Sequence, residues 1–241
     1  ARTREPDFWD GDGQTPTLAR IEYLDRVEAA LGTAARLLSR LHQEHESARR
    51  PNAGVVLVLA ARLYLLDRVA DELDRGDPPD AYLSVRPSPG VHDLAGDARD
   101  FAGRVAVMYE RWAKRRGMRT QAIPPRDRDE RCLAISGFGA YTILKAEAGL
   151  HVLELPRERQ GFARANVHVA VAPRTDASRT VEELEEEAGR ALSGSPAPET
   201  VVRRYRREPS PLVRDASGWR TGRIDQVLAG DFDLRPARAG E

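Results

Sequence analysis

Two stretches of the chain gather positive charge although the whole molecule is neutral, with 38 basic and 38 acidic residues. Residues 111–131 hold eight basic side chains against three acidic ones, and residues 200–223 hold seven against two. Each stretch carries an aromatic, Trp112 in the first and Tyr205 in the second. Cations in a row beside an aromatic ring can follow a phosphate backbone and stack on bases. Only Lys114 and Lys145 are lysines. A guanidinium fork suits phosphate geometry, although a GC-rich genome also produces an arginine excess. The candidate contacts are Arg111, Lys114, Arg115 and Arg116 in the first stretch and Arg203, Arg204, Arg206 and Arg207 in the second. The competing reading is a solvated surface, with Trp112 and Tyr205 in the core.

Other chemistry finds little support. There is no phosphate-binding glycine loop, no His-Glu-x-x-His pair and no Cys-x-x-Cys. Cys132 is the only cysteine, which excludes disulfide scaffolds and cysteine-based zinc sites; in a strand it reads as structural. His151 and His168 fall in framework positions, and His92 lies alone in a loop. No catalytic pair, metal site or cofactor is implied.

The elements that must position these residues are legible in outline. Apolar positions recur at helical spacing over residues 17–48 (Leu18, Ile21, Leu24, Leu31, Ala34, Leu38, Leu41) and again over 53–75. Pro51-Asn52 separates the two, and Gly76-Asp-Pro-Pro79 ends the second, which reads as an antiparallel helical hairpin. Residues 81–85 form a strand and 94–116 a third helix, with Phe101, Val105, Met108, Tyr109 and Trp112 as its apolar stripe. Strands follow at 118–123 and 131–135, then a short helix around 141–148 with Gly149 as its C-cap. Strands at 152–155 and 166–172 flank a loop at 156–165. Thr180-Val-Glu-Glu183 is a capping box that opens an acidic helix. A proline-bearing connector, the basic run 201–207, a loop and a helix at 223–229 complete the chain.

A chain of 241 residues with 41% hydrophobic content can bury roughly 70–75% of its unfolded surface, enough for one or two small cores. No apolar run approaches the ~18 residues of a membrane span, and no secretory segment opens the sequence. The expectation is a soluble cytoplasmic protein.

The middle and end of the sequence resemble bacterial class I peptide chain release factors. The resemblance rests on Ala81-Tyr-Leu-Ser-Val-Arg86, on Met108-Tyr-Glu-Arg-Trp-Ala-Lys-Arg-Arg-Gly117, on Ile135-Ser-Gly-Phe-Gly-Ala-Tyr141, on Leu144-Lys-Ala-Glu-Ala-Gly-Leu-His151 and on Val169-Ala-Val-Ala-Pro173. It continues through Val213-Arg-Asp215, Thr221-Gly222 and Val227-Leu-Ala-Gly-Asp-Phe-Asp233. Pro6-Asp-Phe-Trp9 is similar to the type that reads UGA and UAA.

Three departures accompany it. The family's chemistry depends on a Gly-Gly-Gln tip, whose glycines allow a backbone that side chains forbid. This chain has no Gly-Gly dipeptide, and its one Gly-Gln pair, Gly13-Gln14, lies near the start. The slot of the family's catalytic domain, between Asp176 and Val201, holds one acidic helix and a connector. The codon-reading loop corresponds to Leu155-Pro-Arg-Glu-Arg-Gln-Gly-Phe-Ala-Arg-Ala165, with neither Ser-Pro-Phe nor Pro-any-Thr, no His-Thr-Ser, and fewer residues. Pro87-Ser-Pro-Gly-Val-His92 replaces a glycine-rich turn.

The resemblance implies an α+β fold: a helical hairpin at 1–79, a codon-reading domain at 80–176, the acidic helix and linker at 177–199, and a segment at 200–241 that packs back on the domain. It implies a non-catalytic ribosome-binding factor, not an enzyme, with ribosomal RNA or mRNA in the decoding site as partner. The loop residues Pro156, Arg157, Glu158, Arg159, Gln160, Gly161, Phe162 and Arg164 would enter that site. The alternatives are half of a split system, in which a separate Gly-Gly-Gln protein hydrolyses, and a repurposed RNA- or protein-binding domain.

Overall fold

The structure is a computed structural model that describes residues 14–47, 50–88, 94–157, 161–175 and 180–233. Residues 1–13 and 89–93, which include Trp9 and His92, lie outside the described residues, as do Glu158, Arg159 and Gln160. The chain divides into two compact units, Ala1–Asp67 and Arg68–Glu241.

The first unit contains α1 (Gln14–Glu46) and most of α2 (Ala53–Arg75). The turn between them is tied by Asn52, whose N–H donates to Glu44 and whose Oδ1 accepts from Gly54 at 2.9 Å. The apolar stripe expected on α1 is only partly buried. Ala34 is inside, whereas Ile21, Leu24, Leu31 and Leu38 are exposed. Two helices cover one narrow seam of each other, and a wider stripe is left over.

The second unit is built on one eight-stranded sheet in the order β2-β3-β1-β5-β4-β6-β7-β8. The strands are β1 (Asp80–Pro87), β2 (Arg119–Ile123), β3 (Arg131–Ser136), β4 (Gly149–Pro156), β5 (Phe162–Arg174), β6 (Val201–Arg206), β7 (Leu212–Asp215) and β8 (Arg220–Thr221). All pairings are antiparallel except β4 with β6. The C-terminal segment therefore completes the sheet, as expected. The loop expected between the basic run and the last helix contains two more strands, β7 and β8, before α6 (Ile224–Leu228).

One face of the sheet carries α3 (Ala95–Arg115), whose predicted stripe is fully buried: Phe101, Val105, Met108, Tyr109 and Trp112. Gly230 holds the chain after α6 against this helix. Its φ is +99°, and a Cβ there would stand 2.6 Å from the Trp112 nitrogen, so only glycine fits. The other face carries α5 (Val181–Gly194), which presses Leu184 and Ala188 onto Tyr82, Ile123, Cys132, Ala134 and Ala172. Its capping box is formed: the Thr180 hydroxyl accepts from Glu183 N–H, and the Glu183 carboxylate accepts from Thr180 N–H, each at 3.2 Å.

Two local expectations are corrected. Gly149 is not a helix cap. The short helix α4 (Ala140–Leu144) tightens into a 3-10 turn over Lys145–Glu147, and Gly149 opens β4. There a Cβ would stand 2.6 Å from the Thr200 carbonyl, where the chain enters β6. The loop expected at 156–165 is shorter, because β5 begins at Phe162 and pairs it with Pro156.

Candidate nucleic-acid interface

Strand β6 reads Val-Val-Arg-Arg-Tyr-Arg, and a strand points successive side chains to opposite faces. Arg203 and Tyr205 consequently turn into the core under α3, and Arg204 and Arg206 turn to the other side.

On the core side Arg203 is completely buried. Its guanidinium makes a two-pronged pair with Glu147, Nη1 to Oε2 at 2.7 Å and Nη2 to Oε1 at 2.8 Å. Burial works against its charge, but Glu147 more than compensates and holds the arginine above its ordinary pKa. Tyr109 Oη donates to Glu147 at 3.3 Å. His151 is enclosed with them. Burial, then the Arg203 charge, pushes it down to about 3, so it is neutral at ordinary pH. The contact of Nε2 with the Glu147 carbonyl at 3.1 Å assigns the proton to Nε2. Nδ1 then accepts from Tyr205 Oη at 3.1 Å. Burial raises Tyr205 to about 12, and burial with Glu147 raises Tyr109.

This is a correction. Arg203, expected to contact phosphate, is a core residue. Arg116 is another: its side chain is 5% exposed and pairs with Asp233 at 2.6 Å, an acid that also accepts from Trp112 Nε1 at 2.7 Å. The physical reason is the same in both cases. A buried carboxylate one or two elements away needs a cation, and the fork geometry of arginine supplies it. Trp112, Tyr205 and His151 are core residues, as the competing reading had them. Cys132 is buried, and burial followed by Glu130 pushes its thiol up to about 12, far from a nucleophile.

On the opposite side of the same sheet the register gathers six arginines. Arg206 lies beside Glu154, which faces Arg164 on β5. One pleat away, Arg204 faces Arg214 on β7, which faces Arg220 on β8. Arg86 on β1 faces His168 on β5. Glu154, 6% exposed, takes Arg214 at 3.4 Å and Arg204 at 3.9 Å. The guanidinium of Arg206 lies 5.2 Å over the Phe162 ring. His168 is buried and held below its ordinary pKa by that burial, despite Glu199 at 3.8 Å. Of this set the sequence singled out Arg164, Arg204 and Arg206, but not Arg86, Arg214 or Arg220. The missing signal is strand pairing, which brings together residues far apart in the chain.

The remaining candidates are dispersed. Arg111 and Arg207, one from each basic stretch, meet on a surface cleft of about 530 Å³ between α3 and α6, where Arg207 pairs with Asp225 at 2.8 Å. Arg115 pairs with Asp231 at 2.6 Å, and Lys114 is exposed. In the loop, Pro156 and Arg157 are exposed, and Arg157 N–H donates to the Gly161 carbonyl at 3.4 Å. Gly161 adopts φ +79° and closes the turn. Phe162 and Arg164 stand at the base of this hairpin, on the arginine-bearing face.

Among the described residues no helix is long and apolar enough to cross a membrane, and no group of three or more His, Cys, Asp or Glu side chains could hold a metal ion.

A model of the PCRF domain matches residues 14–157. Peptide chain release factor 1 of Rhodospirillum rubrum is 32% identical over 181 residues, 71% of this chain and 49% of its own length. Peptide chain release factor 2 of Caulobacter vibrioides is 26% identical over 189 residues, with the same two shares. Among solved structures, release factor 2 of Thermus thermophilus superposes with a TM-score of 0.48 at 19% identity, over 95% of this chain and 89% of that one. The chain belongs to the PCRF family, that of the bacterial peptide chain release factors. It spans about half the length of the curated relatives it matches.

Proposed function

We propose that this protein is a non-catalytic release-factor-like protein that binds the ribosome near the decoding site and hydrolyses no peptidyl-tRNA. The observation that carries the reading is the connection between β5 and β6. Where the family's resemblance calls for a catalytic domain, this chain passes from Arg174 to Val201 through α5, and it has no Gly-Gly dipeptide to build the hydrolytic tip. Burial of Leu184 and Ala188 supports α5 as an integral part of the sheet's cover. Pro6-Asp-Phe-Trp9 supports descent from the type that reads UGA and UAA.

The β4–β5 loop carries neither stop-reading tripeptide. Bases are specified by hydrogen bonds and stacking on their edges, whereas arginines such as Arg157 and Arg164 bind phosphate and carry little sequence information there. The protein therefore occupies the decoding site without preferring stop codons. The solvent-facing acids Glu182, Glu183 and Glu186 of α5 favour a second reading, in which a separate protein with a Gly-Gly-Gln tip docks at α5 and supplies hydrolysis.

The test incubates the purified chain with ribosomes stalled on UGA, UAA, UAG or a sense codon, then measures pelleting and freed peptide. Co-sedimentation with all four complexes and no release above a factor-free control is the expected result. Release by the chain alone would remove the non-catalytic reading, and a tenfold preference for any stop codon, about 1.4 kcal/mol, would remove the non-discriminating one.

A further inference from the structure

We infer that the open face of the sheet, carrying Arg86, Arg164, Arg204, Arg206, Arg214 and Arg220, is a binding surface for the phosphate backbone of RNA, separate from the tip of the β4–β5 loop. The inference deepens the ribosome reading and rests on it.

The register makes this a continuous track. One row runs Arg164, Glu154, Arg206 across β5, β4 and β6; the next runs Arg204, Arg214, Arg220 across β6, β7 and β8; Arg86 stands at the far end on β1. Neighbouring strands are about 4.8 Å apart, so β1 to β8 covers roughly 24 Å. The main contacts of α5 are with β1, β2 and β5, while on β6, β7 and β8 Arg204 and Arg206 are half-buried and Arg214 and Arg220 are exposed.

The charge of the track is held in place without being cancelled. Among the described residues of strands β4 to β8, Glu154 is the only acid on this face, and it lies beneath Arg204 and Arg214, whose side chains are 27% and 53% exposed. A buried carboxylate orients two guanidiniums but occupies few of the five N–H donors that each carries. Phe162, 37% exposed beneath Arg206, adds a ring on which a base can stack. The acids of α5 stand over the other end of the face, around Tyr82 and Ala172, and would repel phosphate. That confines the nucleic acid to the strands β4 to β8 and the loop-proximal end of β1 and β5. Arginine contacts of this kind fix position and carry no base specificity.

The experiment measures binding of a fluorescent short RNA hairpin by anisotropy at several salt concentrations. Two triple variants are compared: Arg86→Gln/Arg206→Gln/Arg214→Gln on the face, and Arg20→Gln/Arg36→Gln/Arg62→Gln on the exposed surface of α1 and α2, with the same change in net charge. Thermal melting checks that both remain folded. The face variant is expected to bind about tenfold or more weakly, and its salt slope to fall by about 2. The control is expected to stay within about threefold of the parent. Equal weakening by the two variants, or none by the face variant, overturns the inference. So does displacement of the RNA by polyglutamate at equal charge, which would make the partner an acidic protein. Ribosome pelleting in parallel separates the two levels. A face variant that pellets like the parent overturns the inference and leaves the ribosome reading standing. A parent chain that binds the hairpin through the face but ignores ribosomes overturns that reading alone.

Discussion

Arg203 and Arg204 are adjacent in sequence, carry the same charge and live in opposite worlds. Arg203 is locked to Glu147 with no exposure, and Arg204 looks out over an open sheet from beside Glu154. One step along a strand separates a core ion pair from a surface charge. A buried pair is strongly destabilised when one partner is removed, whereas an exposed arginine contributes about 0–1 kcal/mol to stability. Charge on this sheet is paired inside the core on one face and reaches the surface on the other.

Breaking the core side has the largest expected effect. Arg203→Leu leaves the Glu147 carboxylate buried without the cation that balances its charge, which costs about 3–5 kcal/mol. Urea unfolding should show that loss, and Arg203→Leu/Glu147→Leu should recover part of it. A single variant as stable as the parent would mean that the pair is not enclosed. Leu184→Ala tests the covered end of the opposite face. Leu184 is 1% exposed against the sheet, and its truncation should cost about 2–5 kcal/mol. Hydrogen exchange over α5 should rise together with that loss.

Acid sharpens the comparison further. His151 has a folded pKa of about 3 against an ordinary 6.5. The unfolded chain takes up a proton near pH 6.5 that the native chain refuses until near pH 3. Stability is therefore full above 6.5 and falls as the pH drops below it, by up to about 1.4 kcal/mol per pH unit. His168, also held low by burial, acts in the same direction. Between pH 6.5 and 5 the parent should lose roughly 2 kcal/mol, and His151→Gln should flatten that slope. An unchanged slope would mean that His151 is solvated. The smallest effect belongs to the open face: Arg204→Gln should change unfolding by less than about 1 kcal/mol while RNA binding weakens.

Helices were the most legible part of the sequence, because Phe101, Met108 and Trp112 repeat at the helical period and Thr180 with Glu183 announces a start. The core roles of Trp112, Tyr205 and His151 were also visible. The basic run at 201–207 was not legible as a strand. A buried arginine at 203 breaks the apolar-polar alternation that normally reveals one. Arg203 and Arg204 are neighbours in the chain, whereas Arg86, Arg214 and Arg220 come onto the face of Arg204 only through cross-strand pairing, which no local run of charge reveals. The exposed leucines of α1 show the converse, since periodicity reports a stripe but not whether anything covers it.

The central claim, occupation of the decoding site without hydrolysis, is tested most directly by competition. A catalytic release factor acts on ribosomes stalled at a stop codon, and its rate of peptide release is followed as this chain is added. Release is expected to slow in step with ribosome occupancy by the chain, and no peptide is freed when the catalytic factor is left out. An undiminished rate at concentrations that saturate ribosome pelleting, or release by the chain on its own, would contradict it.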